Sequence, residues 1–575
     1  MIRSTTQDVS ARRVFALLGC LYSLSVFSVW PSPSMAKPQA LAHPQAASQH
    51  SETLDSLRAR LAAHIAQPRF APAAWGVKIV SLDNGKTIFE HNPRKYVNPA
   101  SNAKLYTTAL ALEHFGADFR IKSSLYSSTR PDASGTLKGD LIVYGRGDPT
   151  MTARLNGGGY LKGLDPLIAQ LVNAGVRRIE GDVVGDESYF AGPPFGAGWE
   201  WDDLQAYYGA EVSALTIEDN ALDLFVKPAE RVGIPCRITT GPPTSFVTLI
   251  NRTQTAAKGT EPRIVVYRPI GENIIYVSGR LPIDSSGYAN AVAVHSPAGL
   301  FVSLFKDALA ARGIVVTGRT RVVDWKYREV TPLDFAKLIE LGSVESMPLG
   351  DIVRETLKPS QNLYAQLLLL QVGNRGRQGG TVISSLSSLD PHQPSPGSAI
   401  AKIDSTAPST DGRTDEEAGV ELMQEFLSRI GVRKGDVLLE EGSGLSRRDV
   451  ITPEATVALL THMSRSRWAE VYRNALPIAG VDGTLQNRMK GTAAAGNVRA
   501  KTGTLRYVYT LAGYVTTAAG ERLAFSIMLN NYYNAERSAT LRDPSGSQTQ
   551  RVAPPPRDDL DAIAIMLSGF TGRSN

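Results

Sequence analysis

The sequence contains very little cysteine: only Cys20 and Cys236 occur among its 575 residues. Cys20 lies in an N-terminal segment that we expect to be cleaved, which would leave Cys236 alone in the mature chain. A single thiol forms no internal disulfide, so the fold must be held together by its hydrophobic core. The eight histidines are scattered without the spacing of metal ligands. The sequence therefore predicts no metal site and no cofactor.

Long runs of one charge are also missing. The net charge is only +6, and no dense run of Lys and Arg occurs anywhere, which argues against a nucleic-acid partner. Hydrophobic residues make up 42% and charged residues 20%, an ordinary globular composition, and the length predicts more than one domain. The small positive excess is compatible with an anionic cell-wall polymer.

A long apolar run occurs once, near the N-terminus. Three arginines precede the apolar residues 14–30, and a small-x-small cleavage site follows at 34–36. This layout predicts a cleavable signal peptide at 1–36 and an exported protein, with the Gram-negative periplasm as the expected compartment. The pair Arg12-Arg13 leaves export by the twin-arginine route open beside the general route. We expect no stable membrane span after cleavage.

Changes in composition divide the rest of the chain. Residues 37–52, rich in Ala, Pro, Gln and His, predict a disordered lead-in. Short alternating strands punctuated by Gly and Pro predict inserted, mostly β domains at 122–290. Residues 373–415 are rich in Gly, Ser and Pro, which predicts a flexible surface insertion. The flanking segments, 53–121 and 291–575, would then form one interrupted domain.

The segment after Asn98 predicts a helix that begins close to Ser101. Pro99 suits a first helical turn, apolar residues recur at helical spacing, and Gly116 ends the pattern. Lys104 follows Ser101 by three residues, so both side chains lie on one helix face. A partly desolvated lysine can take the proton of a serine hydroxyl and so activate it. Taken alone, the pair is better explained as a helix cap beside a solvated charge.

Two further motifs follow in a fixed order. Ser360-x-Asn362 stands in a loop before an apolar helix, and Lys501-Thr502-Gly503 opens a strand. Residues 498–515 and 521–529 predict two antiparallel strands. Together with Ser101-x-x-Lys104, these motifs form the signature of β-lactamases and penicillin-binding proteins.

The first two motifs supply the groups of an acyl-transfer reaction. Ser101 would attack a carbonyl carbon and become an acyl ester, with Lys104 as the base. Ser360 can relay a proton to the leaving amine. Asn362 can orient the lysine amine and hydrogen-bond the substrate amide.

The third motif supplies groups for binding. The charge of Lys501 would keep the neighbouring lysine deprotonated and attract a substrate carboxylate, which the hydroxyls of Thr502 and Thr504 can hold. Gly503 would let substrate backbone approach the strand closely. The backbone N–H groups of Ser101 and Thr504 would form an oxyanion hole.

With these motifs, the chain resembles the class C low-molecular-mass penicillin-binding proteins, the D-alanyl-D-alanine carboxypeptidase/endopeptidases with a large insertion. The resemblance runs from about residue 53 to the C-terminus. Beyond the three motifs it rests on Gly147–Thr150, Trp201–Asp203, Ser443–Arg447 and Leu476–Leu485. It implies an α/β (α+β) fold of the penicillin-recognising serine transpeptidase/β-lactamase type, an antiparallel sheet flanked by helices. The interrupted domain would be the DD-peptidase catalytic domain, with the inserted domains between the first and second motifs.

The resemblance also implies a function. The protein would be a serine-type D-Ala-D-Ala carboxypeptidase, a DD-endopeptidase or both, acting on peptidoglycan peptides and inhibited covalently by β-lactam antibiotics. The family's acid and arginine for the free end of a diaminopimelate side chain match Asp203 and Arg447, with Tyr208 nearby. An anion and a cation together suit such a zwitterionic end. Gln361 stands where the family commonly has Asp, and the segment at 373–415 is longer than usual.

Two alternatives stay open. A β-lactamase would need rapid attack of water on the acyl ester, and no additional carboxylate motif is assigned to that step. A non-catalytic wall-binding scaffold would need no activated nucleophile. A Ser-His-Asp hydrolase is unsupported, because no histidine lies in the motifs. The sequence leaves open the balance of carboxypeptidase and endopeptidase activity, the oligomeric state, the role of the insertion and the protein partners.

Overall fold

A computed structural model describes residues 51–378, 412–533 and 555–574, all of which fall within one structural unit, 51–575. The predicted signal peptide, the lead-in up to residue 50 and the middle of the predicted insertion, 379–411, lie outside the described residues. Within the described ranges, no helix combines the length and apolar character that a membrane crossing requires.

The elements alternate between helices and short strands along the whole chain. The described helices are α1 (Leu54–Ile65), α2 (Ala103–Phe115), α3 (Asp165–Asn173), α4 (Pro297–Ala311), α5 (Trp325–Val330), α6 (Leu349–Leu357), α7 (Asn362–Arg377), α8 (Asp415–Arg429), α9 (Pro453–Met463), α10 (Ala469–Ala475) and α11 (Pro556–Ser568). The described strands are β1 (Ala74–Ser81), β2 (Thr87–His91), β3 (Lys122–Ser127), β4 (Thr136–Leu137), β5 (Leu141–Tyr144), β6 (Arg178–Ile179), β7 (Val183–Asp186), β8 (Ala221–Lys227), β9 (Arg237–Gly241), β10 (Thr248–Ala256), β11 (Arg263–Tyr267), β12 (Ile274–Pro282), β13 (Tyr288–Ala293), β14 (Val315–Val316), β15 (Thr320–Val323), β16 (Ile339–Glu345), β17 (Val437–Leu438), β18 (Val450–Ile451), β19 (Arg499–Leu505), β20 (Val508–Thr516) and β21 (Arg522–Asn530).

An antiparallel sheet in the order β19-β20-β21-β1-β2 carries the third motif on its edge strand, β19. Successive side chains of a strand point to opposite faces. On one face, Leu511 and Phe525 share a core with α1 and α11. On the other, Ala512 and Met528 share a core with α2 and α9. The structure thus confirms the predicted α/β (α+β) arrangement of an antiparallel sheet flanked by helices.

The first motif lies on a fully embedded helix. A short 3-10 turn, Ala100–Asn102, leads into α2, and residues 103–112 of that helix are buried. Gly116 ends α2 with φ +83°, a conformation that glycine adopts without a side-chain clash. Because α2 is enclosed by apolar neighbours, the position of Ser101 at its start is fixed by the core.

The segment 498–515 was predicted as one strand, which is wrong. It forms two strands, β19 and β20, joined by a two-residue turn at Arg506-Tyr507. Tyr507 adopts φ +65°, although such turns normally use Gly, Asn or Asp. The turn was missed because none of these residues marks it.

Within the predicted insertion, 122–290, strands outnumber helices, and its sheets include strands beyond residue 290. One five-stranded sheet has the order β15-β7-β5-β3-β16, and β14 pairs with β6. Phe301 and Phe305 of α4 belong to the same core as these strands. Residues 297–345 therefore pack with the predicted insertion rather than with the sheet that carries β19, because a helical or strand pattern does not reveal which layer an element joins. The domain limits themselves stay a prediction.

Both ends of the predicted 373–415 insertion are helical. Helix α7 continues to Arg377, and α8 begins at Asp415. A Cβ added at Gly373 would lie 1.8 Å from the Asp415 carbonyl oxygen, and one at Gly376 would lie 2.7 Å from the Leu422 side chain. These glycines let two helices pack closely, and composition alone does not distinguish that use from flexibility.

The end of the predicted disordered lead-in is also ordered. Ser51 Oγ donates to the Thr571 carbonyl oxygen at 3.0 Å, and the N–H of Glu52 donates to Thr571 Oγ1 at 2.9 Å. The prediction failed for these two residues because the contact comes from the far end of the chain.

Candidate active site

Three segments that are far apart in the chain meet around the amine of Lys104. Its Nζ donates to Asn362 Oδ1 at 2.5 Å and to the carbonyl oxygen of Ser443 at 2.6 Å, and it lies at hydrogen-bond distance, 3.0 Å, from Ser101 Oγ. Helical spacing brings Ser101 and Lys104 to one face, the start of α7 brings Asn362, and a glycine-rich loop brings Ser443. The amine is thus held on three sides, with one contact on the candidate nucleophile.

The surroundings of Lys104 favour its uncharged form. The side chain is 0% exposed. Burial lowers its pKa from the ordinary 10.5 to about 7, while the charges of Glu441 and Asp449 oppose this shift. At neutral pH a large fraction of the amine is therefore unprotonated. An unprotonated amine 3.0 Å from a hydroxyl has the geometry of a general base.

A second buried lysine contacts the second motif. Lys501 Nζ donates to Ser360 Oγ at 2.8 Å and to the Thr502 carbonyl oxygen at 2.7 Å. Burial, and then the charge of Lys104, lower the pKa of Lys501 well below its ordinary value. The influence shown is that of Lys104 on Lys501; the predicted effect of Lys501 on the pKa of Lys104 stays a prediction. The amine points to Ser360, and capture of a substrate carboxylate by its charge stays a prediction.

The backbone is strained at two positions that border the site. Ser360 adopts φ +67°, and Ala100, immediately before Ser101, adopts φ +45°. Such conformations cost non-glycine residues about 1–3 kcal/mol each and persist only when their neighbours hold them. Here the N–H of Gln361 donates to Thr356 O at 2.9 Å, and Asn362 Nδ2 donates to Tyr208 O at 2.8 Å.

The third motif packs directly against the start of α2. A Cβ added at Gly503 would lie 2.1 Å from Thr510 Oγ1 and 2.8 Å from the Pro99 carbonyl oxygen. The glycine is therefore required by the chain's own packing, whereas the sequence suggested approach of substrate backbone. Thr502 Oγ1 donates to Thr484 Oγ1 at 2.8 Å, and Thr504 is exposed at the sheet edge.

The acid and the cation suggested for side-chain recognition lie together. Arg447 Nη2 is 3.6 Å from Asp203 Oδ2, and its Nε is 3.2 Å from Glu200 Oε2. Burial raises the pKa of Asp203, and Arg447 opposes that rise. Asp203 Oδ2 is buried without a hydrogen-bond donor, while the hydroxyl of Tyr208 bonds to the same carboxyl group. The carbonyl oxygen of Tyr208 accepts from Asn362, which connects the Asp203–Arg447 pair to the residues around Lys104.

Comparison with known proteins agrees with this geometry. The model of the D-Ala-D-Ala carboxypeptidase 3 (S13) family matches residues 57–392 and 399–552. The chain belongs to this family. It is also 31% identical over 546 residues to a D-alanyl-D-alanine carboxypeptidase of Actinomadura sp. (strain R39), covering 92% of this chain and 88% of that protein. The predicted serine peptidase, a hydrolase of the penicillin-binding protein type, is confirmed.

Further similarity, in sequence and in structure, is to DacB of Haemophilus influenzae. The carboxypeptidase DacB is 26% identical over 474 residues, covering 81% of this chain and 87% of that protein. The crystal structure of penicillin-binding protein 4 superposes with a TM-score of 0.68 at 23% identity, covering 88% of this chain and 97% of that chain. A second structure of that protein, with a bound β-lactam, gives a TM-score of 0.62 at 21% identity. The shared fold confirms the predicted fold class.

Some groups of this S13 site were not predicted. The carbonyl oxygen of Ser443 fixes Lys104, and Thr484 bonds Thr502. Backbone acceptors leave no side-chain pattern in the sequence, so the Ser443 contact had no direct signal. An indirect signal was Gly444, where a Cβ would lie 2.0 Å from the Ala100 carbonyl oxygen.

Proposed function

We propose that Ser101 is the nucleophile of a D-Ala-D-Ala carboxypeptidase, a DD-endopeptidase or both, acting on peptidoglycan stem peptides. The observation that carries this proposal is the 3.0 Å hydrogen bond between Ser101 Oγ and the buried amine of Lys104. A purely wall-binding scaffold would have no use for an activated hydroxyl, and the family's name supports the D-Ala-D-Ala substrate.

The reaction proceeds in two steps. Ser101 Oγ attacks the carbonyl carbon between the two D-alanines while Lys104 Nζ takes its proton. Ser360 gives its hydroxyl proton to the leaving amine, since Lys501 Nζ donates to its oxygen and leaves its O–H free. The proton that Lys104 took from Ser101 then passes on to restore the Ser360 hydroxyl, and Lys104 is neutral again. The C–N bond breaks and Ser101 carries an acyl ester. Water then attacks the ester while Lys104 takes one of its protons, that proton passes to Ser101 Oγ as the ester C–O bond breaks, and the shortened peptide leaves.

The same chemistry accounts for inhibition by β-lactams. The strained amide of a penicillin takes the place of the D-Ala-D-Ala amide, and Ser101 opens it to form an acyl ester. The solved structure of penicillin-binding protein 4 with a β-lactam supports this proposal. A β-lactamase would instead hydrolyse the ester rapidly, so a long-lived penicillin ester on Ser101 distinguishes the two functions.

The experiment that tests this function is incubation of the purified protein with defined peptidoglycan fragments, with the products resolved by mass. We expect loss of a terminal D-alanine from pentapeptides, cleavage of D-alanyl cross-bridges, or both. A protein that releases neither product, while a serine carboxypeptidase control releases them under the same conditions, would contradict the proposal.

We further propose that Asp203 and Arg447 bind the free amine and carboxylate at the end of a diaminopimelate side chain. Asp203 Oδ2 is buried without a donor, and such an acceptor gains most from a ligand ammonium group. Arg447 lies 3.6 Å from it and carries the opposite charge. Tyr208, which bonds to both Asp203 and Asn362, sets this pocket beside the catalytic residues.

Changing Asp203 to Asn is expected to weaken this recognition selectively. Loss of one charged hydrogen bond should lower kcat/KM on diaminopimelate peptides by about 10- to 100-fold. Hydrolysis of D-Ala-D-Ala peptides without a free amine should change less than about threefold, because Asp203 does not contact the reacting groups. Asp202→Asn is the matched control, since it removes a charge from the neighbouring, exposed carboxylate. Equal losses on both substrates would remove the case for the pocket.

We propose that the protein works in the periplasm after export. The support is the predicted signal peptide at 1–36 together with the location of the proposed substrate outside the cytoplasmic membrane. Fractionation of cells that produce the tagged protein, with the mature N-terminus read by mass spectrometry, tests this location.

A further inference from the structure

A glycine-rich loop behind Lys104 is folded around a carboxylate of its own chain. The oxygens of Glu441 accept from the backbone N–H groups of Ser443 at 2.6 Å, Gly444 at 2.5 Å, Leu445 at 2.9 Å and Ser446 at 3.4 Å. The Glu441 residue is only 1% exposed. Successive N–H groups that converge on one point form a concave anion site. In this protein the anion is the carboxylate of Glu441, two residues before Ser443.

The loop, Ser443–Ser446, touches both parts of the active site. At one end the carbonyl oxygen of Ser443 accepts from Lys104 Nζ at 2.6 Å. At the other end the chain continues into Arg447, which faces Asp203 at 3.6 Å. A displacement of the loop would therefore change the environment of the base and the position of the pocket cation together.

Two helices fix the start of the loop. Thr107 Oγ1 of α2 donates to the Gly442 carbonyl oxygen at 2.7 Å, and the N–H of Gly442 donates to Gln366 Oε1 of α7 at 2.8 Å. These bonds hold Gly442, whereas the shape of the residues that follow depends on Glu441. The carboxylate is thus the organising group for the part of the loop that reaches the active site.

The titratable groups that face Glu441 are Glu416 of α8, Asp449 and Lys104. Burial, followed by the charge of Glu441, raises the pKa of Glu416 to about 8. Burial and the charge of Glu441 also raise the pKa of Asp449 well above its ordinary value. Ionisation of either neighbour is therefore disfavoured beside the Glu441 carboxylate. The four N–H donors around Glu441 suit an anion, which places one negative charge behind the Lys104 amine.

We propose that Glu441 is a positioning residue for the acyl-transfer reaction. Its carboxylate holds the Ser443–Ser446 loop in the shape that presents the Ser443 carbonyl oxygen to Lys104 and directs Arg447 toward Asp203. Its charge also stabilises the protonated amine that Lys104 becomes after it accepts the Ser101 proton. This inference rests on the proposed role of Lys104 as the base.

The test is the pH dependence of acylation by a fluorescent penicillin in the Glu441→Gln variant. The amide keeps the size of the side chain, but its NH₂ group accepts no N–H bond, so the loop loses part of its anchor. The plateau acylation rate should fall about tenfold or more. Because the negative charge near Lys104 is gone, the midpoint of the acid limb should move to lower pH than in the wild type. The preference for diaminopimelate peptides over simple ones should also shrink, since Arg447 is displaced.

The matched control is Glu440→Gln, which removes the adjacent carboxylate. Glu440 pairs with Arg448 at 2.7 Å near the surface and accepts no N–H bond from the loop. This variant should keep the wild-type midpoint and the wild-type preference. If Glu441 affected folding alone, its replacement would reduce the amount of active protein and would change neither the pH midpoint of acylation nor the preference for diaminopimelate peptides.

A wild-type midpoint and a wild-type substrate preference in Glu441→Gln would overturn the inference, whether or not the rate falls. If the Glu441→Gln variant does not fold, Glu441→Asp provides the test, because aspartate keeps the charge on a shorter side chain. The midpoint of the acid limb should then stay at its wild-type pH while the plateau acylation rate falls. A wild-type plateau rate would overturn the inference. The proposed function is tested separately, by the wild-type protein. It would be contradicted if penicillin did not acylate the wild type, or if the wild-type acylation rate did not fall at low pH, regardless of the results with the variants.

Discussion

Replacing Ser101 with alanine is expected to abolish covalent labelling by a fluorescent penicillin. The substitution should also lower D-Ala-D-Ala hydrolysis by about 10⁶-fold, the size of effect seen when a catalytic serine is removed. Ser101 supplies the only hydroxyl that the described residues place in contact with Lys104 Nζ. The labelled band on a denaturing gel, together with the mass of the tryptic peptide that carries the drug, gives the readout.

Ser464→Ala is the matched control for this experiment. The Ser464 hydroxyl donates a hydrogen bond to the Thr461 carbonyl oxygen at the end of α9. Ser464 is remote in sequence from all three motifs. This variant should label like the wild type. Persistent labelling of Ser101→Ala at a wild-type rate would show that another residue is the nucleophile.

Replacing Lys104 with methionine is expected to slow acylation by about 10²- to 10⁴-fold, the usual contribution of a positioned general base. Methionine fills a similar volume but accepts no proton. The Ser101 hydroxyl would remain in place at the start of α2, so slow residual labelling should persist. Stopped-flow measurement of the second-order acylation rate, with a thermal melt to confirm folding, provides the comparison.

The control for this variant is Lys490→Met, which removes an exposed amine whose contact is Asn487 Oδ1 at 2.9 Å. Its acylation rate should match that of the wild type. If Lys104→Met were acylated as fast as Lys490→Met, then Lys104 would not be the base and another group would have to be sought.

The active site combines features that cost stability. Two lysines, Lys104 and Lys501, are fully buried, and Ser360 holds a left-handed backbone conformation. Burial of an amine is unfavourable unless it is hydrogen-bonded or loses its charge. The three contacts of Lys104 and the two of Lys501 meet that requirement. The same burial that is costly for folding lowers the pKa of Lys104 into the range that a general base needs.

Much of the site was predictable because its key groups are side chains in short local patterns. The spacing of Ser101 and Lys104 on a helix gave their shared face, and the structure places them 3.0 Å apart. The contact between Lys501 and Ser360 joins two motifs, and the spacing within either motif did not predict it. The sheet and its flanking helices agree with the family resemblance, which was itself based on those motifs.

The parts that escaped prediction depend on backbone groups or on long-range packing. Ser443 contributes a carbonyl oxygen, which every residue possesses, so the sequence marked its segment, Ser443–Arg447, but not its contact with Lys104. Tyr507 makes a turn without a turn residue because the flanking strands impose it. Strand β16 pairs with β3 across more than two hundred residues, and local periodicity carries no information about such a partner.

The most direct test of the central claim, that a buried Lys104 is held unprotonated against Ser101, is the pH dependence of the penicillin acylation rate. Lys104 accepts the serine proton only in its neutral form, and burial lowers its pKa to about 7. The rate should therefore be half-maximal near that pH and fall about tenfold for each pH unit below it. The limb should be absent in Lys104→Met. A wild-type rate that stays constant well below pH 7, or a limb near the ordinary lysine pKa of about 10.4, would contradict the account.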